Sequence, residues 1–289
     1  MGVVYRAIDL ALGRPVAVKT LPHLSTEHAN RLRREARAMA ALSHPNLALI
    51  YGAEMWHGTP MLMFEFLEGG TLADRLRHKT ERPADVVALG VRLADALGHA
   101  HRAGVLHRDV KPSNIGFRVD GTPKLLDFGL AKVLEPALNG ISSMVEATDQ
   151  STTTGLMHPF RLDSGASTDS LQVLGTPMYL SPEVVRGRQP DAASDLWSLA
   201  MSLYQAIAGR NPLAGATLLE TLDRVARTPV PDIRTFVAAC PEPLALFFGR
   251  ALAHEPERRP GTADEFRAAL DEAGAGLPHD VQERQAGRP

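Results

Sequence analysis

The chain has 289 residues, a formal net charge of -2 and a single cysteine, Cys240. The near-neutral balance gives no basic surface for nucleic acid, one thiol excludes an intrachain disulfide, and no apolar run reaches the ~18 residues that span a bilayer. Apolar residues at 44% and charged residues at 22% are the balance of a globular chain that can bury a large core, and the expected location is the cytoplasm.

The first 70 residues read as strands around one helix. Residues 3–10 and 15–21 are rich in β-formers, and Gly13 between them suits a hairpin turn. Residues 25–42 have helical periodicity, with Ser25 or Thr26 as N-cap and Pro45 beyond the end. Leu32, Met39 and Leu42 form an apolar stripe on that helix, and Glu35 falls on the same stripe. Such a carboxylate either sits half-exposed at the stripe's edge or finds a cation. Lys19, which strand alternation places on one face with Ala17, is the available partner. Two more apolar runs, 47–56 and 60–67, complete a small antiparallel sheet, and Glu68-Gly69-Gly70 breaks the pattern.

From Thr71 the chain turns helical, with residues 84–104 the clearest amphipathic segment. A β-rich patch then surrounds VLHRDVKPSNIGF, residues 105–117, which crowds His107, Arg108, Asp109, Lys111, Ser113 and Asn114 between apolar flanks. Alone, this loop is compatible with a solvated turn. Further on, Asp127 follows an apolar run in KLLDFGL. Alone it is a cap or turn residue, but brought near Asn114 it supplies oxygen ligands of the kind Mg2+ accepts beside phosphate. Asp109 would then accept a proton from an incoming hydroxyl, Lys111 would neutralise the phosphate in transit, and Asn114 would hold metal. Phosphoryl transfer needs mainly such positioning and charge stabilisation. Residues 131–173 are rich in Ser, Thr and Gly with little periodicity, and helical patterns resume from Asp195. The expected architecture is a small β-rich lobe (1–67), a glycine hinge, a larger helical lobe (68–270) with a long segment at 130–180, and a flexible tail or linker (271–289). The ligand cleft is expected between the lobes.

In order along the chain, VAVK (16–19), a helical Glu, HRDVKPSN (107–114), DFG (127–129) and GTPMYLSPE (175–183) resemble the eukaryotic-type serine/threonine protein kinases of bacteria. The resemblance runs from Gly2 to about Leu270. It implies an α+β, bilobal protein-kinase-like fold whose cofactors are ATP and Mg2+. By matching position, Lys19 contacts the α- and β-phosphates and pairs with Glu35, Asp109 is the catalytic base and Lys111 supports the γ-phosphate. Asn114 and Asp127 are the implied Mg2+ ligands. Gly2, Val4 and Ala17 would cover the nucleotide, and backbone groups of the hinge residues Glu65 and Leu67, after the gatekeeper Phe64, would bind adenine. Thr176 would contact the catalytic loop and shape the substrate site. Glu183 would pair with Arg259, and Asp195 would anchor the loop from a central helix. Arg108, just before Asp109, implies activation by phosphate, with Thr168 and Ser170 the expected autophosphorylation sites. The implied partners are proteins presenting Ser or Thr hydroxyls, with self-association for phosphorylation in trans.

The chain also departs from the family pattern. Of the glycine-rich motif G-x-G-x-x-G-x-V, only Gly2 and Val4 match, so the first strand of the small lobe is missing and the lid over the phosphates is incomplete. The native protein is therefore expected to begin upstream of Met1. The same gap raises an alternative, a pseudokinase or nucleotide-binding signalling scaffold. A small-molecule phosphotransferase is a second rival, against which Lys111 and the 175–183 segment argue for protein substrates. Gly116 stands where the family carries a branched apolar side chain beneath the adenine, so a poorer floor contact is expected there. Ala200 stands where a Gly is common.

Overall fold

The computed structural model of the chain describes residues 3–21, 36, 39–57, 59–128 and 177–278. Strands β1 (Val3–Asp9) and β2 (Arg14–Thr20) form an antiparallel hairpin with Val3 opposite Thr20 and Asp9 opposite Arg14. The Asp9 carboxylate accepts from the backbone N–H groups of Ala11 and Leu12, and Gly13 takes φ 64, so the turn needs no strained side chain. β3 (Ile50–Trp56) and β4 (Thr59–Glu65) complete a four-stranded sheet of order β1-β2-β4-β3. Alternation in β4 buries Pro60, Leu62 and Phe64 on one face. Within the expected helix at 25–42, Ala36, Met39 and Ala40 are helical, and Ala36 and Met39 are buried in the core.

Beyond Glu65 the chain crosses into the helical lobe. Thr71 closes a capping box at α1 (Leu72–Leu76), its hydroxyl accepting from Asp74 N while the Asp74 carboxylate accepts from Thr71 N. Pro83 opens α2 (Pro83–Arg102), which buries Val86, Val87, Leu89, Leu93 and Leu97 on its apolar face. A short hairpin, β5 (Ile115–Phe117) with β6 (Pro123–Leu125), follows the polar loop. Then come α3 (Pro182–Val185), α4 (Ala192–Ala208), α5 (Leu218–Arg227), α6 (Glu242–Ala251) and α7 (Ala263–Gly274). α4 is the axis of the lobe. Trp197, Leu199, Met201, Leu203 and Tyr204 on it are all fully buried, and Gly209 at φ 74 ends it.

Three expected boundaries move. Among the described residues the first α-helix after β6 opens at Pro182, and α4 opens at Ala192 instead of Asp195, because Asp191 and Ser194 exchange capping hydrogen bonds. The last helix continues through 271–274, which the tail was expected to contain. Gly274 lies so close to α2 that a β-carbon there would sit 2.5 Å from Val87 Cγ1. The apolar run at 47–56 is strand only from Ile50, since Leu47 bridges in parallel to Leu125 of β6. No helix of the described residues is long and apolar enough to cross a membrane.

Candidate active site

The polar loop at 105–114 hangs from α4. Asp195, in the first turn of that helix, is 1% exposed. Its Oδ2 accepts from His107 N at 2.8 Å and lies 2.9 Å from His101 Nε2, while Oδ1 accepts from Arg108 N at 2.6 Å. A buried carboxylate is tolerable only with such donors, and here the donors are the loop's own backbone. They hold Arg108 at φ 66, a left-handed conformation that costs a non-glycine residue on the order of 1 kcal/mol. His107 is fully buried, with its ring centroid 4.3 Å from that of Phe128 and its Nδ1 accepting from Asp109 N. Burial pushes the His107 pKa below its ordinary 6.5 despite the nearby Asp195, Asp109 and Asp127, so the ring packs as a neutral spacer.

Asp109 emerges from this frame into a dense set of contacts. Lys111 Nζ donates to both its carboxylate oxygens, at 2.9 and 2.8 Å. Asn114 Nδ2 donates to the Asp109 carbonyl at 2.8 Å and to Oδ2 at 2.9 Å. Both amide protons of Asn114 are thus used inward, which leaves its Oδ1 as an acceptor with no hydrogen-bond partner among the described residues. The Asn114 carbonyl accepts from Leu126 N at 2.8 Å, which fixes the segment leading into Asp127 beside it. Asp127 has φ 58, again left-handed, and its Oδ2 accepts from Lys19 Nζ at 2.7 Å. The pair Lys19–Asp127 and the trio Asn114, Asp109 and Lys111 are thus joined through the backbone bond from Leu126 N to Asn114 O, a polar chain from the sheet to the helical lobe.

Lys19 thus pairs with Asp127. The expected partner, Glu35, lies outside the described residues, as do Gly2, Thr168, Ser170 and Thr176. Val4 is exposed and pairs with Lys19 in the sheet register, while Ala17 is half-buried opposite Phe64. Glu65 and Leu67 lie where the chain leaves β4, and the Glu65 side chain is engaged. Its Oε2 lies 2.9 Å from Lys124 Nζ, whose side chain is 6% exposed. Lys124 Nζ also donates to Leu47 O at 3.0 Å. Sequence reasoning missed Lys124, His101 and the packing of His107. A cation between apolar neighbours in a three-residue strand was the available signal for Lys124. Farther along, Arg259 meets Glu183 with two parallel hydrogen bonds of 2.8 and 3.0 Å, donates to Ala253 O and His254 O, and stacks over Trp197. Burial pushes the Glu183 pKa up, but the hydrogen bonds and charge of Arg259, with the hydrogen bonds of the Glu183 backbone and Ser181, together hold the carboxyl below the usual range.

The donor set also discriminates among ligands. Asn114 Oδ1 and the Asp127 carboxylate are hard oxygen donors, and no cluster of three or more His, Cys, Asp or Glu able to hold a metal occurs among the described residues. One carboxylate and one amide oxygen fit a hard cation that completes its shell with phosphate oxygens and water. Beside them stand two ammonium groups for phosphate charge and, in Asp109, a carboxylate able to take a proton.

Comparison with known proteins follows the same line. The family model described as "Protein kinase domain" matches residues 1–270. The chain is 34% identical over 279 residues to the serine/threonine-protein kinase PknB of Mycolicibacterium smegmatis, covering 93% of this chain and 40% of that protein. It is 33% identical over 290 residues to PknK of Mycobacterium tuberculosis, covering 98% of this chain and 23% of that protein. The chain thus spans less than half the length of these curated relatives. The crystal structure of the Mycobacterium tuberculosis PknI kinase domain superimposes with a TM-score of 0.67 at 23% identity, over 94% of this chain and 91% of that one. With a β-sheet lobe, a helical lobe and a family match across nearly its whole length, the chain belongs to the protein kinase domain family.

Proposed function

We propose that the chain transfers the γ-phosphoryl group of ATP to Ser or Thr hydroxyls of proteins. The observation that supports this best is the pair Lys19–Asp127 held next to the trio Asn114, Asp109 and Lys111 by the Leu126 N–Asn114 O bond. Relatives named serine/threonine-protein kinases carry the same domain. In this reading Asp109 orients the substrate hydroxyl and takes its proton, and Lys111 moves its charge onto the transferring phosphate. Asn114 and Asp127 hold Mg2+, which when bound neutralises phosphate charge. Lys19 steadies the α- and β-phosphates and Glu35 pairs with it, while Gly2, Val4 and Ala17 cover the nucleotide. Backbone groups of Glu65 and Leu67 take the adenine. A recess of about 280 Å³ lined by Leu76, Arg77, Lys111, Ser113, Tyr179 and Gln205 opens beside Lys111, room for a side chain of a protein substrate. Regulation is assigned to autophosphorylation in trans at Thr168 or Ser170, read by Arg108, with Thr176 shaping the substrate site, in the cytoplasm.

The test is transfer of radiolabelled phosphate to the chain itself and to a generic protein substrate, with Mg2+ or with EDTA. Asp109→Asn should lower transfer by about 10²–10⁴-fold while leaving Mg-ADP affinity near wild type. EDTA should stop transfer and added Mg2+ restore it. Equal transfer by wild type and Asp109→Asn, or none by either, would sink the reading.

A further inference from the structure

Gly116 is held from both sides. It pairs with Lys124 of β6 and bridges to Thr71, while Phe117 N donates to Gly70 O and Gly69 N to Phe117 O, both at 2.9 Å. The chain leaving β4 therefore lies directly on β5, an approach that Gly69 permits. A β-carbon at 69 would sit 2.6 Å from Arg118 O and 2.7 Å from Phe117 O. This close contact carries Leu67 over Gly116. A β-carbon at 116 would lie 2.5 Å from Leu67 Cδ1 and 3.1 Å from Leu126 Cδ1. The volume that a side chain at 116 would fill is thus taken by leucines from the crossover and from the residue before Asp127.

Leu67 and Leu126 are only half-buried, so each keeps an uncovered apolar surface. That surface adjoins the polar chain, since Leu126 immediately precedes Asp127 and its N–H is bonded to Asn114 O. A nucleotide needs this pairing, a charged end among cations and oxygen ligands and a flat apolar base on aliphatic carbon. We infer that the Leu67 side chain is the floor on which the nucleotide base rests, and that Gly116 is required because it leaves Leu67 its seat. The inference rests on the nucleotide-binding reading above and adds to it a specificity-determining pair, Leu67 and Gly116. Because the backbone of Gly116 is held on both flanks, a larger residue at 116 must push the end of the Leu67 side chain out of its present position.

The experiment is direct titration of a fluorescent ADP (mant-ADP) with Mg2+ into wild type, Gly116→Val, Leu67→Ala and the double variant, with melting temperatures recorded in parallel. Gly116→Val should weaken binding about tenfold or more, as overpacking at this scale does. The double variant should return to within about threefold of wild type, because Val then occupies the volume Leu67 gave up. If Gly116→Val does not fold, Gly116→Ala carries the same contrast through its β-carbon alone. Wild type that binds no nucleotide overturns the nucleotide reading and this inference with it. Wild type that binds, beside a folded Gly116 variant of unchanged affinity or a double variant that stays as weak as Gly116→Val, overturns the inference alone.

Discussion

Arg259 uses its guanidinium wholly inside the protein, on Glu183, on two carbonyls and on the Trp197 ring, so its charge has no access to water. Removing one member of a buried pair strands the other. Glu183→Gln should therefore cost about 3 kcal/mol or more in urea unfolding. A double variant, Glu183→Gln with Arg259→Met, should cost less than the sum of the singles, which a double-mutant cycle checks. Asp195→Asn poses a different question, since it keeps the shape but weakens the acceptors for His107 N and Arg108 N. It should lower kcat with little change in KM for ATP, and amide exchange at Arg108 should quicken. An unchanged kcat would show that the loop keeps its shape without a charged anchor. At this scale the motif residues were legible, because their types in fixed spacing point to phosphate chemistry. The partners were less so. Lys19 meets Asp127 across 108 residues of sequence, and no periodicity encodes that contact. Asp195 and the Glu183–Arg259 pair were reached only through the family resemblance.

Among the elements, strands and helices with a clear period lie where alternation and amphipathicity place them, and the errors gather at ends. Residues 47–49 read as strand because they are apolar, yet Leu47 pairs with and Ala48 bonds to Leu125 of β6, and Leu49 bonds to Glu65 of β4. Apolar character reports burial and is silent about which neighbour does the burying. Asp191 as a cap and Gly274 as a contact point were likewise invisible to a periodicity count. The tie between β4 and β6 is Lys124, nearly buried between Glu65 Oε2 and Leu47 O. Lys124→Met should lower stability by about 3 kcal/mol, since Glu65 is left half-compensated by Arg118 at 3.7 Å. Adding Glu65→Leu should recover most of the loss; a double variant no better than the single would show that the Leu47 carbonyl is the costlier vacancy.

For the molecule as a whole, acid sensitivity follows from one fully buried and one half-buried imidazole. Burial holds His107 and His254 below their ordinary 6.5, so the unfolded chain binds protons there that the folded chain refuses. Their contribution to stability is complete above about pH 6.5 and is lost as pH falls below it. Glu183, held below the ordinary 4.5 in the fold, adds a second loss at lower pH. The urea midpoint should fall between pH 7.5 and 5.5, and by less in His107→Phe; an identical fall would place the acid sensitivity elsewhere. The stitching of residues 44–48 onto the helical lobe carries a mechanical implication. Asn46 Nδ2 donates to Pro123 O, Leu125 N to Asn46 O and Ala48 N to Leu125 O, and His44 lies against Asp95 of α2. If the two lobes rock against each other, this segment travels with the larger body although its sequence neighbours belong to the smaller. The pivots then fall near residues 49 and 66, and spin labels at 44 and 95 should keep a constant separation while labels on β1 and α4 do not.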